Sequence, residues 1–257
     1  MEEKAQIVFV VIPVKNQESS IGGVVQSVID RFPKDAKLEV IVVDDGSTDQ
    51  TAKQAADAGA NVLSLGNGQP GNPAIARNRG VAASHGDPIV FLDSDCIPPK
   101  GWPDDPLRIH HQGIEVVGGS LALPPGLSFT ARCDYYGGWY HPKRNAGFAK
   151  QHLPGKLSVR RSAFESTQGF FERHPIAYSG EELYWQAQIR KHRGKIYFQP
   201  SAIVDHINRP GFRNLLRRNY RWGYIKIQTE AETACARFAL AYQFPVLLIL
   251  ASMPLAP

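Results

Sequence analysis

Residues Ile89–Pro98 read IVFLDSDCIP, an apolar run that stops at two aspartates one residue apart. A short apolar run bounded by a polar turn has the profile of a buried strand. Asp93 and Asp95 then stand at the mouth of a core, where each carboxylate loses hydration and repels the other. Two readings are open from this stretch alone. The carboxylates cap a turn or the next helix, or they hold a cation. The rest of the chain has to decide.

Upstream, strand and helix patterns alternate. Gln6–Pro13 (QIVFVVIP) and Leu38–Asp44 (LEVIVVD) are continuous apolar runs, and Ser19–Phe32 between them reads as a helix. Ser47 with Gln50 predicts a capping box for a helix ending near Gly59. Asn61–Leu65 reads as a third strand. Asn72-Pro73 supplies an N-cap and a proline at the first helical position, for a helix reaching about Ser84. Pro88–Leu92 is the fourth strand. Buried strands alternating with helices predict an α/β fold with a Rossmann-like, mainly parallel sheet flanked by helices. Ligands bind such sheets beyond the carboxyl ends of the strands. The residues just past the strands are Lys15, Asn16 and Glu18, then Asp44 and Asp45, then Asp93 and Asp95. Turn capping explains each carboxylate singly but not their shared edge.

After Pro98 the pattern loosens to about Pro175, with many glycines, prolines and aromatics; strands are expected near Glu115–Gly119 and Leu157–Arg160. Gly180–His192 reads as a helix, and Lys195–Phe198 and Ala202–Val204 as short strands. Gly211–Arg237 reads as a long basic helix. The expected division is a main domain over 1–210 (one half to about 98, the other from 99), the basic helix 211–237 and an apolar segment 238–257.

With 257 residues, 43% hydrophobic and 21% charged, the chain can bury a sizeable core and is not disordered. The net charge of +5 reflects 29 basic and 24 acidic residues. Arg209, Arg213, Arg217, Arg218 and Arg221 crowd one segment, which suits anionic lipid, nucleic acid or a phosphorylated substrate, or is a solvated helix face. Cys96, Cys133 and Cys235 form no CxxC pair, so there is no disulfide framework or zinc signature, as suits a reducing cytosol. The start, MEEKAQ, is no signal peptide. Phe238–Pro257 has no charge, and about twenty apolar residues can span a bilayer. Pro245 and Pro254 would kink such a helix, so a membrane-associated segment, complete or cut short, is expected over a core helix.

Gly66–Gly71 (GNGQPG) fits the G-x-G-x-x-G dinucleotide fingerprint. It follows the third strand rather than the first, and Pro70 removes a backbone donor from the loop, so a glycine loop beside the site is the better account. A sugar-nucleotide site fits the edge better. A nucleoside diphosphate needs its charge neutralised before it leaves a sugar. Hard ions such as Mn²⁺ or Mg²⁺, held by few carboxylates and the phosphate oxygens, do this.

VVIPVKNQE (Val10–Glu18), VIVVDDGSTDQT (Val40–Thr51), AIARNRGVAASHGDPIVFLDSD (Ala74–Asp95) and SGEELYWQ (Ser179–Gln186) occur in the order and spacing of family 2 glycosyltransferases. The chain resembles that family from about Val10 to Trp222. The resemblance implies a GT-A fold and an inverting transferase using nucleotide-diphospho-sugars. It implies that Asp45 accepts from the base, uracil in a UDP-sugar, with Pro13, Lys15, Glu18 and Asp44 lining the nucleotide pocket and Arg77 and Asn78 near the donor. Asp93, Ser94 and Asp95 would seat the ribose-diphosphate and the metal, with His206 a further metal or phosphate contact. The family's base is an aspartate of a G-E-D motif at a helix start; here Gly180-Glu181-Glu182 puts Glu182 there, with Glu181 the other candidate. A helix N-terminus is expected to keep such a carboxylate ionised.

Two departures stand out. GKLSVRRSAF (Gly155–Phe164) lacks the asparagine often found before R-R-x-x-F, so Lys156–Ser158 alter the acceptor wall. Arg218-Asn-Tyr-Arg221-Trp222 lacks the glutamine of Q-x-x-R-W, which argues against a processive synthase, although Arg218, Arg221 and Trp222 remain candidates for phosphate or sugar contact. The expected function is a metal-dependent, inverting hexosyl transfer to a lipid-linked or saccharide acceptor, at the cytoplasmic side of a membrane reached through the C-terminal segment. A nucleotidyltransferase would want a glycine-rich loop after the first strand, and Pro13–Glu18 has no glycine. A non-catalytic sugar-nucleotide module would have no need of Glu182. Nucleic acid is not an expected partner, since it leaves the carboxylate-rich edge unexplained.

Overall fold

Isoleucine and valine dominate Ile7–Val14 (IVFVVIPV) and Lys37–Asp44 (KLEVIVVD), and the central residues of both are buried. β-Branched side chains suit a pleated surface packed on two faces. In the computed structural model these are β1 and β2, paired in parallel from Ile7 opposite Lys37 to Val14 opposite Asp44. The structure describes residues 7–33, 37–66, 72–100, 102, 104–122, 126, 145–150, 155–172 and 181–206, with the single positions 212, 216 and 220. β3 (Asn61–Ser64) joins β2 and β4 (Ile89–Leu92) joins β1, both in parallel, so the first four strands are as expected.

Beyond β4 the sheet is mixed rather than mainly parallel. β8 (Lys156–Val159) runs antiparallel to β4 and to β6 (Val116–Ala122). β9 (Ile196–His206) is parallel to β6, while β5 (Cys96–Ile97) and β7 (Gly147–Phe148) are antiparallel to β9. Among the described residues the order is β3-β2-β1-β4-β8-β6-β9-β5, with β7 also on β9. Strand direction was unreadable here because the segment after Pro98 has no strand–helix alternation to imply crossovers. The two short strands expected around Pro200 are one strand. Pro200 is tolerated because the register of β9 against β6 shifts between Gly118 and Ser120, and a Cβ on Gly119 would stand 1.8 Å from the Ala202 carbonyl oxygen.

Side chains alternate across β1 into two apolar layers. Val8, Val10 and Ile12 meet α1 (Ile21–Arg31) and α2 (Thr51–Asp57) on one face. Phe9 and Val11 meet α3 (Pro73–Ala82), α5 (Arg161–Glu165) and α6 (Glu181–Lys191) on the other. The short α4 (Asp104–His110) precedes β6. In α1, Ile21, Val24, Val25 and Val28 form the buried stripe; Phe32 turns extended (φ −74°, ψ 144°) because Pro33 follows. The expected Ser47–Gln50 capping box does not form. Helix α2 starts at Thr51, whose N–H donates to the Asp49 carboxylate at 3.0 Å, while Ser47 turns back to Asp44. That stretch offers several short oxygen-bearing side chains, and the chain uses different ones.

Helix α3 carries Arg77 and Asn78, so its placement decides where they stand. The Asn72 side chain accepts from the Ala74 N–H at 3.0 Å and Pro73 opens the helix, as expected. A Cβ on Gly80 would lie 2.3 Å from Val11 Cγ1 and 3.1 Å from Val43 Cγ2, so the glycine lets α3 lie directly on β1 and β2.

Met1–Arg209 forms one compact unit and Pro210–Pro257 another. In the second, Phe212, Leu216 and Tyr220 are helical and exposed; the rest of the expected basic helix and the apolar 238–257 lie outside the described residues. No helix among the described residues is long and apolar enough to cross a membrane.

An alanine at position 80 gains about 1 kcal/mol in helix propensity, but overpacking a rigid valine costs about 1–3 kcal/mol. Gly80→Ala is therefore expected to lower stability in urea unfolding by up to about 2 kcal/mol; a raised midpoint contradicts the close packing.

Candidate active site

Because β1, β2 and β4 are parallel, their carboxyl ends share one edge, which collects Pro13, Lys15, Asp44, Asp45, Asp93 and Asp95. The loops after β1 and β2 are stitched together there. The Asn16 N–H donates to Ser47 Oγ at 2.9 Å, the Thr48 N–H to Asn16 Oδ1 at 2.9 Å, and the Gln50 N–H to the Glu18 carboxylate at 2.9 Å. Asn16 sits at φ 52°, a left-handed conformation that asparagine tolerates better than most residues.

The two aspartates of the second loop do different work. Asp44 accepts from the Ser47 N–H at 3.1 Å and from its hydroxyl, so it shapes the turn. Asp45 is buried and accepts from the Asn72 N–H. Burial pushes its carboxyl above the usual range, against the Asn72 bond and the Lys15 charge.

Arg77 is the hub. It is 4% exposed; its Nη2 donates to Asp93 Oδ1 at 2.9 Å and its Nη1 to Glu181 Oε1 at 2.6 Å. Its guanidinium carbon lies 5.5 Å from the centre of the Phe170 ring. Burial pulls its pKa down, but Asp93, Glu181 and Glu182 together outweigh that and hold it above normal. Asp93 fits because Gly155 has no side chain: a Cβ there would fall 1.9 Å from Asp93 Oδ2.

Glu181 and Glu182 open α6 and are both buried. Contrary to expectation, the helix N-terminus does not keep Glu182 ionised. Burial first, and Glu181 second, push its carboxyl up to about 8, with Arg77 opposing. Loss of hydration outweighs the partial charge of a helix end. Asn78 was expected near the donor, yet its amide is engaged elsewhere. Its Nδ2 donates to the Phe170 carbonyl at 2.8 Å and to Glu172 at 2.9 Å, and its Oδ1 accepts from the Phe170 N–H at 2.9 Å. Asn78 thus fixes the turn that sets Phe170 under Arg77.

Asp93 and Asp95 separate in role. Asp93 faces Arg77, with Ser94 half-buried in the turn between them. Asp95 Oδ2 lies 3.4 Å from His206 Nε2, and a ligand atom from each of Asp95, Cys96 and His206 falls within 4.8 Å of the others. A carboxylate and an imidazole at that spacing suit a divalent ion. Lys156, which the sequence marked only as a departure, is half-buried on β8; burial pushes it down to about 8, while Cys96 and Asp93 act the other way. Its signal was a charge within a buried-strand pattern. Arg218, Arg221, Trp222 and residues 67–71 of the glycine loop lie outside the described residues.

A mixed sheet whose parallel half carries carboxylates at one edge, with a glutamate-capped helix beside them, is the layout of the GT-A glycosyltransferases. The Glycosyl transferase family 2 model matches residues 9–167, and the chain belongs to that family. It is 30% identical over 234 residues to the glycosyltransferase AglE of Haloferax volcanii, covering 89% of this chain and 75% of that one. It is 28% identical to the pre-mycofactocin glycosyltransferase of Mycobacterium tuberculosis, covering 84% of this chain and 46% of that one. The crystal structure of glucosyl-3-phosphoglycerate synthase from M. tuberculosis with Mn²⁺, UDP-glucose and phosphoglyceric acid is similar at a TM-score of 0.56 and 26% identity, over 80% of this chain and 73% of that one. S. aureus TarS (1–349) shares the fold at a TM-score of 0.60, 19% identity, over 78% of this chain and 60% of that one. The protein is a glycosyltransferase.

Removing one partner of a buried ion pair costs about 3–5 kcal/mol. Arg77→Met is expected to lose about that much in urea unfolding, and Arg77→Lys to recover only part, since an ammonium cannot reproduce the fork. Asp93→Asn, at the more exposed arm, is expected to cost about 1–2 kcal/mol.

Proposed function

We propose that the protein transfers a sugar, with inversion, from a UDP-sugar to a hydroxyl of a lipid-linked or saccharide acceptor. The observation that carries this reading is the wiring of Glu182, through Glu181 and Arg77, to Asp93 at the edge where Asp45, Asp95 and His206 also lie. The synthase solved with Mn²⁺ and UDP-glucose supports the donor and metal class.

Asp45 accepts from the uracil ring, with Pro13 and Lys15 beside it and Glu18 and Asp44 holding the loops. Asp95 and His206 hold Mn²⁺ or Mg²⁺, and Asp93, fixed by Arg77, lies toward the ribose and diphosphate. When bound, the ion neutralises charge developing on the leaving diphosphate. Glu182 accepts the acceptor hydroxyl's proton as the oxygen attacks the anomeric carbon. The arginines from Arg209 to Arg221 and the uncharged 238–257 favour work at the cytoplasmic face of a membrane, against anionic headgroups.

The direct test incubates the protein and Mn²⁺ with a panel of nucleotide sugars, follows slow hydrolysis without acceptor, and reads the anomer formed by NMR. Inverted product from a UDP-sugar is expected; retention, or no hydrolysis of any donor, contradicts the reading.

The pH dependence has a definite sign. A base works deprotonated, so the rate should climb with pH along a limb near 8 and level off above it. For stability the sign is opposite. A carboxyl raised from 4.5 to about 8 favours the fold while protonated, and that contribution is lost as pH rises between those values. Glu182→Gln should therefore cost about 10²–10⁴-fold in turnover while raising Tm above pH 8 and leaving it little changed below the ordinary carboxylate range. Turnover that survives the substitution removes Glu182 as the base.

A further inference from the structure

The aspartate turn carries a donor atom that the proposed reaction does not use. Cys96 follows Asp95 directly and is the register partner of His206 across the antiparallel β5–β9 ladder. Opposed residues in such a ladder project on one face, about 4.5–5.5 Å apart at Cβ. Cys96 Sγ lies 3.9 Å from Asp95 Oδ1, and His206 Nε2 lies 3.4 Å from Asp95 Oδ2. In tetrahedral zinc sites with Zn–S near 2.3 Å and Zn–N or Zn–O near 2.0 Å, neighbouring donors stand about 3.3–3.5 Å apart. One ligand atom from each of the three residues lies within 4.8 Å of the others, so closing on one ion draws them inward by up to about 1 Å. Cys96 itself is 1% exposed, while the side chains of Asp95 and His206 keep 39% and 20%, so the thiol forms the floor of a seat open on the carboxylate and imidazole side.

Mg²⁺ and Mn²⁺ take oxygen donors and gain little from sulfur, whereas a thiolate selects Zn²⁺. We propose that Asp95, Cys96 and His206 form a zinc-selective site, filled when no nucleotide donor covers the edge. The Cys96 sulfur bonds to the metal and its proton passes to solvent; nothing is oxidised or reduced. The inference rests on the proposed reading of the Asp95–His206 seat and deepens it. Zinc held there occupies that seat and excludes the ion that supports transfer, so trace zinc inhibits and chelation restores. The sequence showed no zinc signature because its ligands meet through strand pairing, not through local spacing.

The test titrates the metal-free full chain with Co²⁺ under reducing conditions. A near-ultraviolet thiolate-to-cobalt charge-transfer band is expected, displaced by Zn²⁺. It should persist in the Cys133→Ser, Cys235→Ser double variant and vanish in Cys96→Ser. Zn²⁺ affinity of Cys96→Ser should fall about a hundredfold or more, since losing even an outer-shell partner costs about 10–100-fold. No band in the wild type, or one lost with the other two cysteines, overturns the proposal without reliance on the folding of Cys96→Ser. A band persisting in folded Cys96→Ser also overturns it. An intact band in a protein that transfers no sugar would refute the proposed function and leave the zinc site standing.

Discussion

One guanidinium serves three carboxylates at the heart of this protein. Arg77 is buried with Asp93 on one arm, Glu181 on the other and Glu182 beyond it. Glu182 is the most deeply buried of the three, and the loss of hydration raises its proton affinity first. The neighbouring Glu181 charge raises it further, and the shared guanidinium opposes both without cancelling them.

Much of the surrounding structure serves that pair of bonds. Asn72 and Pro73 set where α3 begins, and Gly80 lets it lie on β1 and β2, which fixes the depth of Arg77. Asn78 holds the turn that slides Phe170 beneath the guanidinium, and Gly155 leaves room for Asp93. None of these residues need touch a substrate. They hold the carboxylate edge and the start of α6 on one buried guanidinium.

The parallel half of the fold was legible in the sequence because buried strands and capped helices leave periodic signals, as in Val8–Ile12 or Asn72-Pro73. The carboxylate edge followed from strand direction. The strand at β8 was legible but its antiparallel direction was not, since the glycines, prolines and aromatics before it carry no period. For Asn78 the sequence could not show the Phe170 turn its amide holds, because an amide reads alike whether it faces a ligand or a backbone turn. The helix-end expectation for Glu182 failed because burial is a property of packing, which local sequence does not state. Cys96 and His206, far apart in the chain, become neighbours only through the pairing of β5 with β9.

The protonation state of Glu182 measures the cost of burying its carboxyl beside Glu181 most directly. Carboxyl ¹³C NMR of glutamate-labelled protein, with Glu182→Gln to assign the resonance, follows that protonation in the folded state. A midpoint near 8 is the result expected; a midpoint in the ordinary glutamate range near 4.3 would contradict that burial.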